Sequence, residues 1–212
     1  MKGPSVSAKE AILERVRDIM RDAPPVEAAS RGYRQTSEDD LDARLDLFTE
    51  RLADYGAEVH QVAPSEIATK ASELCRAREV NSLVAPQDLP RDWLPKEIEI
   101  HLDEMLENKV LESTGGVMTG CTLAIAQTGT IVLDSGAEQG RRVITLLPDF
   151  HICVVQREQV AGIVPEAIRR LRPSAKKPLT FISGPSATSD IELSRVEGVH
   201  GPRTLAVLLV HT

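Results

Sequence analysis

Apolar positions along the chain switch between helical and strand spacing, and the switches outline the fold. Near the start, Ile12, Val16, Ile19 and Met20 fall three and four residues apart, the repeat of one helix face. Ser7 and Glu10 precede them in a capping-box arrangement, and Pro24-Pro25 stops the helix. Its apolar stripe has to cover something, either the body of its own domain or a neighbouring subunit. Leu41, Leu45, Phe48 and Leu52 predict a second helix, opened by Ser37 and closed at Gly56. The pattern then alternates. Glu58 to Val62 reads as a strand, Ser65 to Arg76 as a helix with Ile67, Ala71 and Leu74 on one face, and Val80 to Val84 as another strand. That order is βαβ-like. The stretch Pro86 to Pro95 holds three prolines and Trp93, which predicts a loop or short helical turn with the tryptophan as a packing anchor.

In the second half, Cys121 to Ala126 and Ile131 to Leu133 read as two strands joined by the tip Gln127-Thr128-Gly129-Thr130, a hairpin. His151 to Val155 (HICVV) is nearly unbroken in apolarity, which suits the middle of a sheet covered on both faces. Pro165 opens a helix carrying Ile168 and Leu171 that closes before Pro173. Leu179 to Ser183 (LTFIS) and Thr204 to Val210 (TLAVLLV) predict two more buried strands. Ten of the thirteen glycines lie from Gly115 onward, so turns and close backbone approaches concentrate there. The reading is an α/β fold, with an N-terminal helical extension over 1–56 and an α/β domain over 57–212.

Composition narrows the function. With 42% hydrophobic and 27% charged residues among 212, the chain is long enough to bury a core, while 3% aromatic content points to an aliphatic one with few base-stacking platforms. A net charge of −7 with its basic residues dispersed argues against a nucleic acid partner. No stretch approaches a transmembrane span and the start is not a signal peptide, so no membrane insertion and a cytoplasmic location are expected. Cys75, Cys121 and Cys153 lack CxxC spacing, and an iron–sulfur cluster usually takes four thiolates, so no metal or cofactor is expected in this chain.

Three loops could carry chemistry, chiefly anion binding. At the hairpin tip, Gly129 can take positive φ and leave backbone N–H groups with the Thr128 and Thr130 hydroxyls at one spot; alternatively Gly129 only closes the hairpin. Arg141-Arg142 follow, and strand alternation aims one of the two inward, which makes Arg141 a candidate to reach an anion. The second loop offers Ser183, Gly184, Ser186 and Thr188 after a strand, where ligands of open α/β sheets sit, then Asp190 and Glu192, as weak acid–base partners or as a helix cap. In the third, His200 could exchange protons near neutral pH and Arg203 could clamp a carboxylate or phosphate. We expect the three loops to converge at one end of the sheet. No residue is assigned a catalytic role.

Taken together, TGCTLAIAQTGTIVLDSG, GRRVITLLPDFHICVV, FISGPSATSDIE and GVHGPR resemble the LUD domain of the lactate utilization protein C family. The likeness is strong over about the last hundred residues and looser over the α/β part before them. It implies a three-layer α/β/α fold with a central, mostly parallel sheet, similar to the sugar-phosphate isomerase and coenzyme A transferase class. It also implies a role in oxidising L-lactate to pyruvate beside iron–sulfur partner proteins that carry the clusters, with this chain as a small-anion-binding accessory subunit. The alternative is an acyl-CoA transferase-like or sugar-phosphate isomerase-like enzyme, and a homo-oligomer is compatible with the apolar stripe of the first helix. One departure stands out. Relatives commonly read AETGT or AESGT where this chain has Gln127, and an amide cannot form the acyl anhydride that a glutamate nucleophile forms.

Overall fold

A computed structural model describes residues 7–21, 32–189, 195–197 and 201–211, with 187–189 and 195–197 described through their backbone. The expected capping box opens α1 (Ala8–Arg21): the Glu10 carboxylate accepts from Ser7 N and Oγ at 2.9 Å each, and Glu10 N donates to Ser7 Oγ at 3.3 Å. None of its residues is buried, so the stripe of Ile12, Val16, Ile19 and Met20 stays at the surface. Contacts divide the chain into one unit ending at Tyr33 and another running from Arg34 to Thr212.

Within the second unit, α2 (Leu41–Asp54) starts later than the sequence suggested. Asp40 is its cap, accepting from Ala43 N at 2.8 Å, while Ser37 N donates to the Glu166 carboxylate at 2.6 Å instead. Leu45, Phe48 and Leu52 bury the predicted face, so a helix assigned to the 1–56 extension packs into the body. There follow β1 (Glu58–Val62), α3 (Ile67–Ala77), β2 (Ser82–Ala85), β3 (Glu99–Leu102), α4 (Asn108–Ser113), β4 (Gly116–Thr119), β5 (Leu123–Ile125), β6 (Thr130–Leu133), β7 (Phe150–Gln156), β8 (Val160–Ala161), α5 (Val164–Arg170), β9 (Thr180–Ile182), β10 (Ala187–Ser189), β11 (Arg195–Glu197) and β12 (Thr204–Val210).

Six strands form a parallel sheet in the order β1-β12-β7-β4-β2-β3. Side-chain alternation divides its core between two faces. Ile152 and Val154 of β7 and Ala206, Leu208 and Val210 of β12 pack with Ile67, Ala71 and Leu74 of α3. Cys153, Val155, Val207 and Leu209 point the other way, onto α2 and the hairpin β5–β6. HICVV therefore lies in the sheet interior, as its apolarity required. Trp93 packs half-buried beside the α3 face, the anchoring role expected of it. The architecture is α/β, with a central parallel sheet flanked by helices.

The hairpin belongs to a second sheet, β8-β5-β6-β9, whose outer side is closed by α5 through Ala167. Here LTFIS departs from expectation: β9 lies at the sheet edge and Phe181 is half exposed, because a short apolar run does not reveal whether both its faces are covered. Gly129 follows a 3-10 turn at Ala126–Thr128 and adopts φ 55°, ψ 42°. A Cβ there would stand 2.8 Å from the Arg51 carbonyl carbon and 2.9 Å from Leu52 N, so glycine lets the tip lie flat on α2. Gly129→Ala is expected to cost about 2 kcal/mol, combining left-handed strain with that clash. An unchanged denaturation midpoint would contradict this.

The hairpin is also tied to the chain beyond α5. The buried Asp134 carboxylate accepts from Thr122 Oγ1 at 2.7 Å, Gly136 N at 2.8 Å, Ser174 Oγ at 2.5 Å and Lys177 Nζ at 3.0 Å. Gln139 Oε1 accepts from Asp134 N at 2.7 Å while its Nε2 donates to Thr122 Oγ1 at 2.8 Å. Burial alone would raise the Asp134 pKa, but the bonds from Ser174, Thr122 and Lys177 outweigh it and hold the carboxyl well below the usual range.

Candidate functional site

The three predicted loops are linked by hydrogen bonds. Thr128 and Thr130 hydroxyls lie 2.7 Å apart, Thr130 Oγ1 is 2.7 Å from Ser183 Oγ, and Ser186 N donates to Pro202 O at 2.8 Å. They meet on the amino side of β7 and β12, not at the carboxyl ends of the parallel strands. The reason is topological: the loop at Ser183 follows β9 of the smaller sheet, and the loop at Pro202 precedes β12.

The hairpin tip itself is occupied with packing. Gln127 N donates to Gly162 O at 3.0 Å and Gly129 N to Ala126 O at 3.2 Å, so these two amides already have partners. The Gln127 side chain is exposed. Ser183, Gly184 and Ser186 border a cavity of about 310 Å³ between β9 and the amino ends of β7 and β12. Thr188 lies in β10, paired with Val196 of β11. Asp190, Glu192 and His200 fall outside the described residues. Arg203 is exposed and sits 3.5 Å from Asp149.

The arginine pair lies at the start of a 3-10 turn over Arg142–Thr145 and not in a strand, so side-chain alternation does not apply, and the two arginines face different cavities. Arg141 is held by Asp103, donating from Nε at 2.7 Å and Nη2 at 2.5 Å, and it also reaches Leu106 O at 3.0 Å. The Arg141 bond draws the Asp103 pKa down. Arg141 borders a separate, wide-mouthed cavity of about 590 Å³ at the carboxyl ends of β2 and β3, together with Asp88, Asp103 and Glu104. With its charge already matched and carboxylates around it, that cavity is unsuited to an anion. Arg142 borders the smaller cavity instead. Its side chain is exposed, and its guanidinium makes no ion pair or hydrogen bond with a described residue.

The smaller cavity also contains a residue that the sequence reading passed over. His151 opens β7, is 1% exposed and lines the cavity. Its Nε2 is 2.8 Å from Thr119 Oγ1, whereas Nδ1 has no partner among the described residues. Burial lowers the His151 pKa to about 4, so the ring is neutral at physiological pH. A lone histidine at the head of an aliphatic strand was the available signal, because a buried polar group has to find partners. Thr145 and Thr180 add hydroxyls, and Leu146, Phe181 and Leu205 supply apolar wall.

Among the described residues, no group of three or more His, Cys, Asp or Glu side chains is placed to hold a metal ion. The three cysteines are free and buried. No described helix is long and apolar enough to cross a membrane.

Comparison with known proteins adds four likenesses. The LUD domain family model matches residues 45–210. Lactate utilization protein C of Deinococcus radiodurans is 45% identical over 170 residues, covering 78% of this chain and 79% of that protein, and its namesake in Geobacillus kaustophilus is 26% identical with 97% of each covered. A solved structure of a DUF162 family protein from Deinococcus radiodurans aligns at a TM-score of 0.71 and 33% identity, covering 82% of this chain and 99% of that one.

Proposed function

The chain belongs to the LUD domain family, and from that premise we propose that it serves lactate utilization as an accessory protein that binds a small anion. In this reading it acts in the cytoplasm, and iron–sulfur partner proteins carry the electrons as L-lactate is oxidised to pyruvate. The observation that carries the reading is the 45% identity to a protein named for lactate utilization. Arg142 at the smaller cavity, which has no ion pair with a described residue, supports the anion.

An acyl-transferase reading is weaker at the level of chemistry. Position 127, where relatives commonly place a glutamate, holds an amide, and its exposed side chain does not line either large cavity. Loss of the protein is expected to abolish growth on L-lactate but not on other carbon sources, while the purified chain oxidises no lactate and transfers no acyl group. Gln127→Glu should then complement fully. Steady turnover by the unmodified chain, or an acyl adduct trapped by hydroxylamine on the Gln127→Glu variant, would replace the accessory reading with the enzymatic one.

A further inference from the structure

We propose that the cavity between β9 and the amino ends of β7 and β12 binds a small hydroxy- or oxo-carboxylic acid, with its carboxylate at Arg142 and its neutral oxygen directed to His151. The proposal rests on the accessory reading for its choice of acids, and on the geometry for the rest.

Size comes first. At about 310 Å³ the cavity lies at the lower end of small-molecule sites. Charge comes next. Among the described lining residues Arg142 is the one lysine or arginine, and it is exposed, so positive charge sits at the mouth. A single unmatched guanidinium suits a carboxylate, whose two oxygens fit its paired N–H donors. A phosphate dianion would bring a second negative charge with no second lysine or arginine among the described lining residues to meet it. Serine and threonine hydroxyls complete the polar lining, and the Ser183 hydroxyl is already bonded to Thr130.

The floor has the opposite character. His151 is buried, uncharged and held by Thr119 through Nε2; its ring lines the cavity, and Nδ1 has no partner among the described residues. A neutral ring nitrogen there accepts from a hydroxyl or donates to a carbonyl, according to its tautomer. A carboxylate at the floor would lose its hydration with no positive charge beside it. The two ends thus select a ligand with one anionic and one neutral oxygen-bearing end. Leu146 and Leu205 are apolar wall against which the ligand's short alkyl group can pack. A buried donor or acceptor strongly disfavours an analogue that lacks its mate.

The full chain can be titrated with L-lactate, pyruvate, propionate and inorganic phosphate while the His151 ring resonances are followed by NMR. Saturable binding of L-lactate or pyruvate is expected, with propionate at least about ten-fold weaker and phosphate weaker than either. Arg142→Gln, an exposed change that leaves the fold intact by thermal unfolding, should weaken binding about ten-fold or more. Equal affinity for propionate, tighter binding of phosphate, indifference to Arg142→Gln, or no saturable binding at tens of millimolar would each overturn the proposal. These results are separable from the growth test. Binding without a growth defect would overturn the accessory reading, whereas a growth defect without binding would overturn this one.

Discussion

Asp134→Ala is expected to lower the stability of the body by about 3–5 kcal/mol, the range for removing one member of a buried charged network. The carboxylate is 4% exposed and receives donors from the hairpin itself, from Gly136 and from Ser174 and Lys177 beyond α5. Alanine leaves the buried Ser174 and the half-buried Thr122 and Gly136 amide without an acceptor, and an unsatisfied buried group costs about 1–3 kcal/mol before the structure relaxes. Lys177 is a minor contributor. Its side chain is 49% exposed and returns to water, so Lys177→Ala should cost no more than about 1 kcal/mol. Denaturant unfolding monitors both variants through the midpoint at constant m. If Asp134→Ala fell within about 1 kcal/mol of the parent, the network would not be holding the second sheet in place.

The second large effect is a dependence of stability on pH that originates in one side chain. Burial holds the His151 pKa in the folded chain at about 4, against the ordinary histidine value of 6.5. Unfolding therefore takes up a proton between those values, and stability rises with pH across that window. Full stability is present above the unfolded pKa. It declines as pH falls through 6.5 toward 4, by about 3 kcal/mol in all, at 1.36 kcal/mol for each pH unit. Asp134 acts in the same direction but lower on the scale, because its depressed pKa removes stability only once unfolded carboxylates begin to protonate. Unfolding free energies measured from pH 7 to pH 4.5 should show the slope, and His151→Gln should flatten it whatever its effect at pH 7. A variant retaining the parent slope would assign the effect elsewhere.

Elements with long, clean periods were legible in the sequence. Leu45, Phe48 and Leu52 predicted the face that α2 buries, and Ile67, Ala71 and Leu74 did so for α3. HICVV and TLAVLLV announced the two interior strands. By contrast β3 (EIHL), β4 (GVMT) and α4 (NKVLES) are too short or too polar to stand out. The pairing of β9 with β6 was hidden as well, since partner choice between distant strands leaves no local periodicity. The site was half visible. Ser183, Gly184 and Ser186 were found by their hydroxyls and glycine, and they border the cavity. Arg142 was passed over for its neighbour because the residue that claims Arg141, Asp103, lies in a loop whose approach only the folded chain reveals.

Strand order carries a consequence for how the protein is made. β1 is an edge strand whose neighbour is β12, and β12 also forms the bridge to β7. A ribosome adding about 5–20 residues each second completes β1 on the order of ten seconds before it completes β12. Through that interval the nascent chain can assemble α3 with β2, β4 and β7, but β1 has no place to dock and one side of β7 is open. Chaperone protection should thus be needed late in synthesis, and a ribosome stalled before residue 204 should display an incomplete sheet rather than a smaller finished one.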